Sequence, residues 1–338
     1  MPLRCSPAGP ATLHPVSAGV TEQVLDGHPA VTLTAPAGGL SATFVPGLNM
    51  VCASMRAHGH ELLGQRGGLA AYAQRGSTFG IPLLHPWANR LGAWDYEVQG
   101  RRVALAQGMP GVRADSATGL PIHGLLAASP WWKLTEMGGD GDASAVRAEL
   151  DFGAHADLLA AFPFPHLLTL TAALSDSALT IALTVTPTGE LGVPIAFGLH
   201  PYLALPGSAR ATWTIAAPVR RRVVLDERGI PTGATEDIEP GALDGALAER
   251  SFDDCFDQLG PSPPAFTVAD GRTSVTVRLL EGYPVAQIYA PAGQELVCFE
   301  PMTAPVDALR SGVGLRLAQP GESFTALFAI EPHTRPPA

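Results

Sequence analysis

The sequence predicts an all-β protein, a large antiparallel β-sandwich with a few short helices. Three observations predict this class. Hydrophobic residues make up 46% of the 338 residues and charged residues only 15%, so the chain can bury a large core. The 37 Gly and 32 Pro interrupt the chain too often for long helices, which excludes helical bundles and coiled coils. Apolar and polar residues alternate in many short segments, as they do in strands with one buried face.

A hairpin near the middle of the chain gives the clearest strand pattern. Apolar residues alternate with Thr and Ala over 168–174 and again over 180–186, and Ser175-Asp176-Ser177 is a polar turn between the two runs. A second hairpin is predicted over 96–105, around Gln99-Gly100. The remaining predicted strands lie, in chain order, at 31–35, 41–45, 146–152, 211–216, 222–226, 274–279, 285–290, 296–300 and 324–330.

The predicted helices are short, and they lie at 69–75, 155–161, 242–250 and 304–311. They do not alternate with strands as the crossover helices of a parallel sheet do. No strand is followed by a glycine-rich loop and a helix, so a nucleotide site has no support. Without internal repeats or linkers, we expect one domain over 1–338, with about 1–25 and 334–338 peripheral or frayed.

Charge and cysteine content narrow the possible partners. The net charge is −10, Lys133 is the only lysine and Arg220-Arg221-Arg222 is the only basic cluster, so we expect no nucleic-acid partner. The N-terminus lacks the apolar core of a signal peptide, and no stretch approaches the roughly 20 apolar residues of a membrane span. We therefore expect a cytoplasmic protein with no membrane partner. The four cysteines lie far apart and include no CxxC pair, which argues against a disulfide framework or a structural zinc site.

Three histidines and one glutamate are candidates for chemistry. His85, His123 and His200 are each flanked by an apolar residue and followed by Gly or Pro. Their rings lie either in the core, bonded to a backbone carbonyl, or at the rim of a cleft. Glu300 ends an apolar strand, where an unpaired buried carboxylate would be strongly unfavourable. It therefore either pairs with an arginine such as Arg90 or serves as a general base at a cleft.

The other candidate sites are weaker. A zinc site made of the three flanked histidines and a carboxylate lacks a local pair of ligands, and a serine hydrolase lacks the G-x-S-x-G elbow. Seven further histidines have no patterned partner, and we expect most of them at the surface; they are His14, His28, His58, His60, His155, His166 and His333.

Six short segments occur in a characteristic order. They are Asn89-Arg90, Ile122-His123-Gly124, Gly198-Leu199-His200-Pro201-Tyr202, Phe252-Asp253-Asp254-Cys255-Phe256, Gln287-Ile288-Tyr289 and Phe299-Glu300-Pro301-Met302-Thr303-Ala304-Pro305. Taken together, they resemble the aldose 1-epimerase (galactose mutarotase) family, and the resemblance covers nearly the whole chain. The fold of that family is a large β-sandwich, often called a supersandwich, in agreement with the strand pattern.

The resemblance implies interconversion of the α and β anomers of a free hexose or related aldose, without cofactor or metal. A base removes the proton of the C1 hydroxyl while an acid protonates the ring oxygen, and the ring opens, rotates about C1–C2 and recloses. By resemblance, His200 is the acid, Glu300 is the base and His123 stabilises the developing charge. The residues that would contact the sugar or close its pocket, including an aromatic floor, are Asn89, Arg90, Asp253, Gln287, Tyr202 and Trp87.

The sequence departs from the family pattern at three positions. Leu203 stands where many members have Phe. Asp254 directly follows Asp253, so either carboxylate could face the sugar. His85 has no role that the resemblance explains.

Two other functions on the same fold stay open. A hexose-6-phosphate 1-epimerase would need arginines near the pocket, with Arg56, Arg66 or Arg75 as candidates. A non-catalytic sugar-binding protein would need neither His200 nor Glu300 as a proton carrier. In each case the expected partner is a small-molecule sugar, and the chain is expected to be a monomer or a homodimer.

Overall fold

A computed structural model describes residues 19–334 of the chain, and strands form most of its regular structure. The strands are β1 (Val20–Leu25), β2 (His28–Thr34), β3 (Leu40–Val45), β4 (Val51–Ala57), β5 (His60–Glu61), β6 (Leu83–Leu84), β7 (Asp95–Val98), β8 (Arg101–Ala104), β9 (Lys133–Gly139), β10 (Ser144–Asp151), β11 (His166–Leu174), β12 (Leu179–Pro187), β13 (Val193–Ile195), β14 (Gly198–Leu199), β15 (Tyr202–Leu203), β16 (Thr214–Ala216), β17 (Val219–Leu225), β18 (Pro231–Asp237), β19 (Gly245–Ala246), β20 (Phe252–Leu259), β21 (Ala265–Ala269), β22 (Thr273–Glu281), β23 (Val285–Ala290), β24 (Val297–Met302), β25 (Arg316–Ala318) and β26 (Phe324–Thr334). The helices are α1 (Gly68–Arg75), α2 (Ala156–Ala161) and α3 (Ala308–Ser311), and the 3-10 turns are Pro46–Leu48, Phe152–Ala154 and Arg210–Thr212.

Two large antiparallel sheets dominate the described part of the chain. One has nine strands in the order β19-β16-β21-β22-β26-β12-β11-β10-β9. The other has the order β18-β17-β20-β23-β24-β14-β6, and β15 also pairs with β24. Strands β1 to β5 form a five-stranded sheet, and β7-β8 and β13-β25 form two-stranded ones.

The two large sheets share one hydrophobic core. Along β26, Ala326, Phe328 and Ile330 are fully buried and alternate with residues that point away from this face, as the sequence pattern predicts. Phe266 of the nine-stranded sheet packs against Phe299 of the other sheet, with ring centroids 5.5 Å apart. Each fully buried side chain of this kind contributes about 1.5–3 kcal/mol. The predicted β-sandwich is confirmed.

Both predicted hairpins are also confirmed. Strands β11 and β12 pair along their whole length, and the turn between them closes with a 3.0 Å hydrogen bond from the Ser175 N–H to the Ala178 carbonyl. Strands β7 and β8 meet at Gln99 and Gly100, which have φ angles of 50° and 71°. Two successive positive φ angles match the twist that two-residue hairpin turns require.

Two of the four predicted helices differ from the structure. The helix predicted over 242–250 is wrong, because this segment forms turns and the short strand β19, which pairs with β16. Gly245, in the middle of this segment, has a φ of 114°, which no right-handed helix allows. The helix predicted over 304–311 is shorter than expected, because Asp307 has a φ of 62° and α3 begins only after it.

The chain ends were expected to be peripheral. Within the expected range 1–25, β1 is an ordered edge strand, and its residues 21–24 are exposed. Residues 1–18 and 335–338 lie outside the described residues. Between residues 19 and 334, no helix has the length and apolar character needed to cross a membrane.

Candidate active site

One face of the eight-stranded sheet carries polar residues at its centre. The strand register places Asp253 of β20 opposite Tyr289 of β23, and Gln287 of β23 opposite Glu300 of β24. Directly opposite residues point to the same face of a sheet, so these four side chains share one face. The residue before Glu300, Phe299, points into the core between the sheets. The alternation along β24 thus places Glu300 on the polar face.

His200 reaches this face from the neighbouring chain segment. It follows β14, which pairs with β24 through Gly198 and Met302. Its backbone N–H donates to the Pro82 carbonyl at 3.1 Å. The Nε2 atom of His200 lies 3.2 Å from Oε1 of Glu300, and the two side chains are only 5% and 2% exposed. The structure therefore brings together the two residues that were expected to exchange protons.

A second pair of segments brings Asn89, Arg90 and His123 to the same place. The His123 N–H donates to the Asn89 carbonyl at 2.9 Å, and Arg90 forms a bridge with Ile122. Asn89 and His123 have φ angles of 57° and 61°. For residues other than glycine such a backbone costs on the order of 1–3 kcal/mol, so the pairing of the two segments must hold it in place.

Gly124 allows these two segments to approach each other. It has a φ of 68°, and a Cβ atom at this position would lie 2.2 Å from the His85 carbonyl oxygen. The same carbonyl accepts a 2.8 Å hydrogen bond from the Leu125 N–H. Any larger residue at position 124 would separate the two segments and move His123.

These side chains line a cleft of about 620 Å³, a volume typical of small-molecule sites. The described residues that line it are mostly polar. They are Arg66, Arg75, Gly76, Ser77, Thr78, Asn89, Arg90, Arg113, Ala114, Asp115, Ser116, Ile122, His123, His200, Tyr202, Asp253, Tyr289 and Glu300.

Burial favours the uncharged forms of both His200 and Glu300. Burial raises the pKa of Glu300 well above its usual value, and the nearby Asp253 raises it further. Burial and the charge of Arg66 lower the pKa of His200 to about 3. The two shifts favour a protonated Glu300 beside a neutral His200. Because Nε2 and Oε1 are close, the same proton can pass to His200 when Glu300 gains another hydrogen-bond donor.

His123 is a neutral group at the same cleft. Burial lowers its pKa well below the usual value, and His200, Arg113 and Arg90 lower it further. Its ring meets the His200 ring edge to face, with centroids 5.6 Å apart. A neutral imidazole can donate one hydrogen bond and accept another, which suits contact with a hydroxyl or a ring oxygen.

Arg90 is fixed by carboxylates on two sides. Its Nε donates to Asp115 at 2.7 Å, and its Nη1 lies 3.6 Å from Asp253. Burial alone would raise the pKa of Asp115, but hydrogen bonds from Arg90, the Thr118 hydroxyl and the Ala117 N–H outweigh burial and lower it. The Asn89 Oδ1 accepts the Arg90 backbone N–H at 2.9 Å. The Arg90 guanidinium therefore has a fixed orientation at the cleft.

The structure distinguishes Asp253 from Asp254. Asp253 lines the cleft, whereas Asp254 points away from it and lies 3.6 Å from the Nε of Arg222. Gln287 is completely buried and does not line the cleft; its Nε2 donates to Asp253 Oδ1 at 2.6 Å. Gln287 thus orients Asp253 from behind the cleft wall.

The expected aromatic contacts are only partly found at the cleft. Tyr202 lies at the cleft, but it is 1% exposed and stacks on His200 at 4.2 Å, so it positions the imidazole. Trp87 is also 1% exposed, and it packs in the main core away from the cleft lining. Its position does not fit the expected contact with a sugar, because its backbone pairs with Ala196 and directs it inward. Tyr289 is half-buried, lines the cleft and can take that role.

His85 belongs to the core. Its Nε2 lies 2.9 Å from Nε2 of His166, whose Nδ1 donates to the Phe164 carbonyl at 2.6 Å. This network makes His85 the donor to His166. The expectation that His166 lies at the surface is wrong, because it is fully buried beneath Phe152.

Sequence reasoning missed some of the residues that line the cleft. Arg66 and Arg75, considered as anion ligands, do line it, whereas Arg56 lies elsewhere and pairs with Glu61. Arg113 was not a candidate. It comes to the cleft because Ala114 forms a bridge with Pro121 two residues before His123. Among residues 19–334, no cluster of three or more His, Cys, Asp or Glu side chains could hold a metal ion.

Comparison with known proteins agrees with this fold and motif set. The family model for aldose 1-epimerase matches residues 52–331, so the chain belongs to that family. It is 24% identical to the uncharacterised protein YihR of Escherichia coli K12 over 268 residues, which cover 74% of this chain and 80% of that protein.

Solved structures show the same fold. A galactose mutarotase-like protein from Clostridium acetobutylicum superposes with a TM-score of 0.81 at 18% identity, covering 94% of this chain and 98% of the other. A galactose 1-epimerase from Lactobacillus acidophilus gives a TM-score of 0.72 at 14% identity, covering 93% and 98%.

Proposed function

We propose that this chain is an aldose 1-epimerase that opens and recloses the ring of an aldose in the cleft. The observation that carries the proposal is the buried His200–Glu300 pair, in which Nε2 of His200 lies 3.2 Å from Oε1 of Glu300. The C1 hydroxyl and the ring oxygen of an aldose are both bonded to C1. An acid and a base that serve them must therefore be neighbours, as these two residues are.

The proton movements balance within this pair. The C1 hydroxyl donates to the Glu300 carboxyl, whose Oε2 has no hydrogen-bond partner among the described residues. This bond favours the carboxylate form of Glu300, and its proton passes to His200. The carboxylate then takes the C1 hydroxyl proton while His200 gives its proton to the ring oxygen, and the C1–ring-oxygen bond breaks. Rotation about C1–C2 and the reverse transfers give the other anomer.

The surrounding residues hold the sugar and disperse charge. Arg90 and Asn89 donate to sugar hydroxyls, and Asp253, oriented by Gln287, accepts from them. His123 bonds the ring oxygen or a neighbouring hydroxyl, and Tyr289 packs against the C–H face. Seven of the nine side chains predicted from the sequence line the cleft; they are Asn89, Arg90, His123, His200, Tyr202, Asp253 and Glu300.

Polarimetry tests the proposal. Freshly dissolved α anomers of aldoses relax to equilibrium slowly in buffer, and catalytic amounts of the protein should accelerate this relaxation without changing the final rotation. The sugars should include neutral hexoses and hexoses with anionic substituents. If every sugar relaxes at the buffer rate with folded protein present, the chain is not an epimerase, and a binding protein on the same fold becomes the better interpretation.

A further inference from the structure

Three arginines on one side of the cleft have no carboxylate partner. Between residues 19 and 334, no Asp or Glu oxygen lies within 4.0 Å of the guanidinium nitrogens of Arg66, Arg75 or Arg113, whereas the Arg90 Nε lies 2.7 Å from Asp115. These three residues, the arginine wall, form a local positive charge in a chain whose net charge is −10. It therefore needs an explanation beyond the binding of neutral hydroxyls.

The carboxylates of the cleft are already engaged elsewhere. Asp115 and Asp253 both face Arg90, and Glu300 faces His200. Asp254 points away from the cleft, so it adds little negative charge to the rim. The positive charge of the arginine wall is thus not neutralised by the protein.

Arg113 is the buried member of this wall. Its Nη1 donates to the Gly76 carbonyl, while its Nε and Nη2 are buried without a hydrogen-bond partner among the described residues. A buried donor left unpaired is unfavourable, and more so when it is charged. Gly76 makes room for this side chain, because a Cβ there would lie 2.9 Å from the Arg113 Nη1. The fold thus keeps a costly cation beside the cleft.

Arg66 and Arg75 are the exposed members, and an anion in the cleft can reach them. The Arg66 Nη1 donates to the Tyr202 hydroxyl at 3.0 Å, and its guanidinium lies 5.1 Å from the centre of that ring. His200 stacks on the same ring, and its Nε2 lies 3.2 Å from the Tyr202 hydroxyl. Arg66 and His200 thus contact the same tyrosine hydroxyl. Because C1 must carry a free hydroxyl for the ring to open, an anionic substituent bound at Arg66 must be on another carbon of the sugar.

We propose that the aldose taken by this cleft carries an oxyanionic substituent away from C1, bound by Arg66 and Arg75 and attracted by the charge of Arg113. The proposal rests on the epimerase function proposed above and names its substrate class. A phosphate, a sulfate or a carboxylate shares the required chemistry, since guanidinium groups bind all three through paired N–H donors.

The test compares matched sugars on the full chain. The value of kcat/KM for anomer exchange is measured by NMR with glucose, glucose 6-phosphate, glucose 6-sulfate and glucuronate. We expect at least one anionic sugar to exceed glucose by about tenfold or more, because one charged hydrogen bond contributes about 1.5–3 kcal/mol. The ranking of the three anions identifies which substituent the wall accepts.

Variants assign the preference to the wall. In Arg75→Gln and Arg66→Gln, the ratio of kcat/KM for the preferred anionic sugar to that for glucose should fall about 10- to 100-fold. The control is Arg56→Gln, an exposed arginine that pairs with Glu61 away from the cleft and should leave the ratio unchanged. Arg75 is exposed at the end of α1, so its variant should fold even if Arg66→Gln does not.

Three results would separate the two proposals. If glucose is turned over as well as every anionic sugar, the oxyanion proposal is wrong and the epimerase stands. If no sugar is turned over but calorimetry shows that an anionic sugar binds at least tenfold more tightly than glucose, the epimerase is wrong and the oxyanion site stands. If the preference survives in both cleft variants, the anion is bound elsewhere and the assignment to Arg66 and Arg75 is wrong.

Discussion

Gly124 offers a sharp test of how the cleft is built. Substitution by Ala would place a Cβ atom 2.2 Å from the oxygen and 2.3 Å from the carbon of the His85 carbonyl. Ala in a left-handed conformation costs about 1–2 kcal/mol. Displacing His85 also breaks its hydrogen bond with the Leu125 N–H, which costs about 1–3 kcal/mol if the buried groups stay unpaired. Gly124→Ala should therefore lower the free energy of unfolding by about 2–5 kcal/mol.

A matched glycine separates backbone strain from the close approach. Gly119 has a φ of 70°, almost the same as Gly124, but a Cβ there would meet no atom within 4 Å. Gly119→Ala should lose only about 1–2 kcal/mol in urea denaturation. Gly124→Ala should also lose about 10²-fold in kcat/KM for anomer exchange at a temperature where it is folded, because small displacements of catalytic groups are this costly. Equal losses of stability and activity in the two variants would refute the reasoning.

Three further predictions follow from the site and its surroundings. Asp253→Asn should reduce kcat/KM about 10- to 100-fold, whereas Asp254→Asn should stay within about twofold of wild type. The two differ because only Asp253 faces the cleft. Steady-state kinetics on the preferred sugar measures both variants. His85→Leu should lower the free energy of unfolding by about 1–3 kcal/mol, because it leaves the His166 Nε2 unpaired. Adding His166→Phe should restore part of this loss in urea titrations. If the double variant does not recover, the assigned hydrogen-bond network is wrong. Because burial raises the pKa of Glu300, the folded chain keeps a proton that the unfolded chain releases above about pH 4.5. Stability should therefore fall as pH rises from about 4.5 towards the raised pKa of Glu300, and Glu300→Gln should gain stability relative to wild type over the same interval. Thermal melts of both proteins at several pH values measure this difference, and no gain would mean that Glu300 is ionised in the folded state.

Much of the site could be predicted because its residues lie on regular strands or in local motifs. Glu300 ends the apolar run 296–299, which marks it as a polar group at a strand end, and Gly or Pro follows His123 and His200. Asp253 and Gln287 could be named only through the family resemblance, because no local pattern in the sequence marks them. Successive strand residues point to opposite faces, so the pairing of Asp253 with Tyr289 places Asp253 on the cleft face and Asp254 on the other.

The rest depends on contacts between distant segments. Trp87 adjoins the Asn89-Arg90 motif, yet the pairing of its backbone with Ala196 directs the ring into the core. Arg113 lies in an irregular loop without periodicity, and only the bridge between Ala114 and Pro121 brings it to the cleft. Such long-range pairings are not encoded in a local pattern, so neither placement could be predicted from sequence alone.

The most direct test of the central claim is exchange NMR on a sugar already at anomeric equilibrium. The rate of magnetisation transfer between the α and β anomeric carbons reports ring opening and closure alone. We predict fast transfer with the wild-type chain and a loss of about 10²–10⁴-fold in both His200→Asn and Glu300→Gln, as expected for a general acid and base. Asp254→Asn serves as the folded control and should keep the wild-type rate. Transfer at the wild-type rate in either His200→Asn or Glu300→Gln would contradict the assignment of proton transfer to this pair.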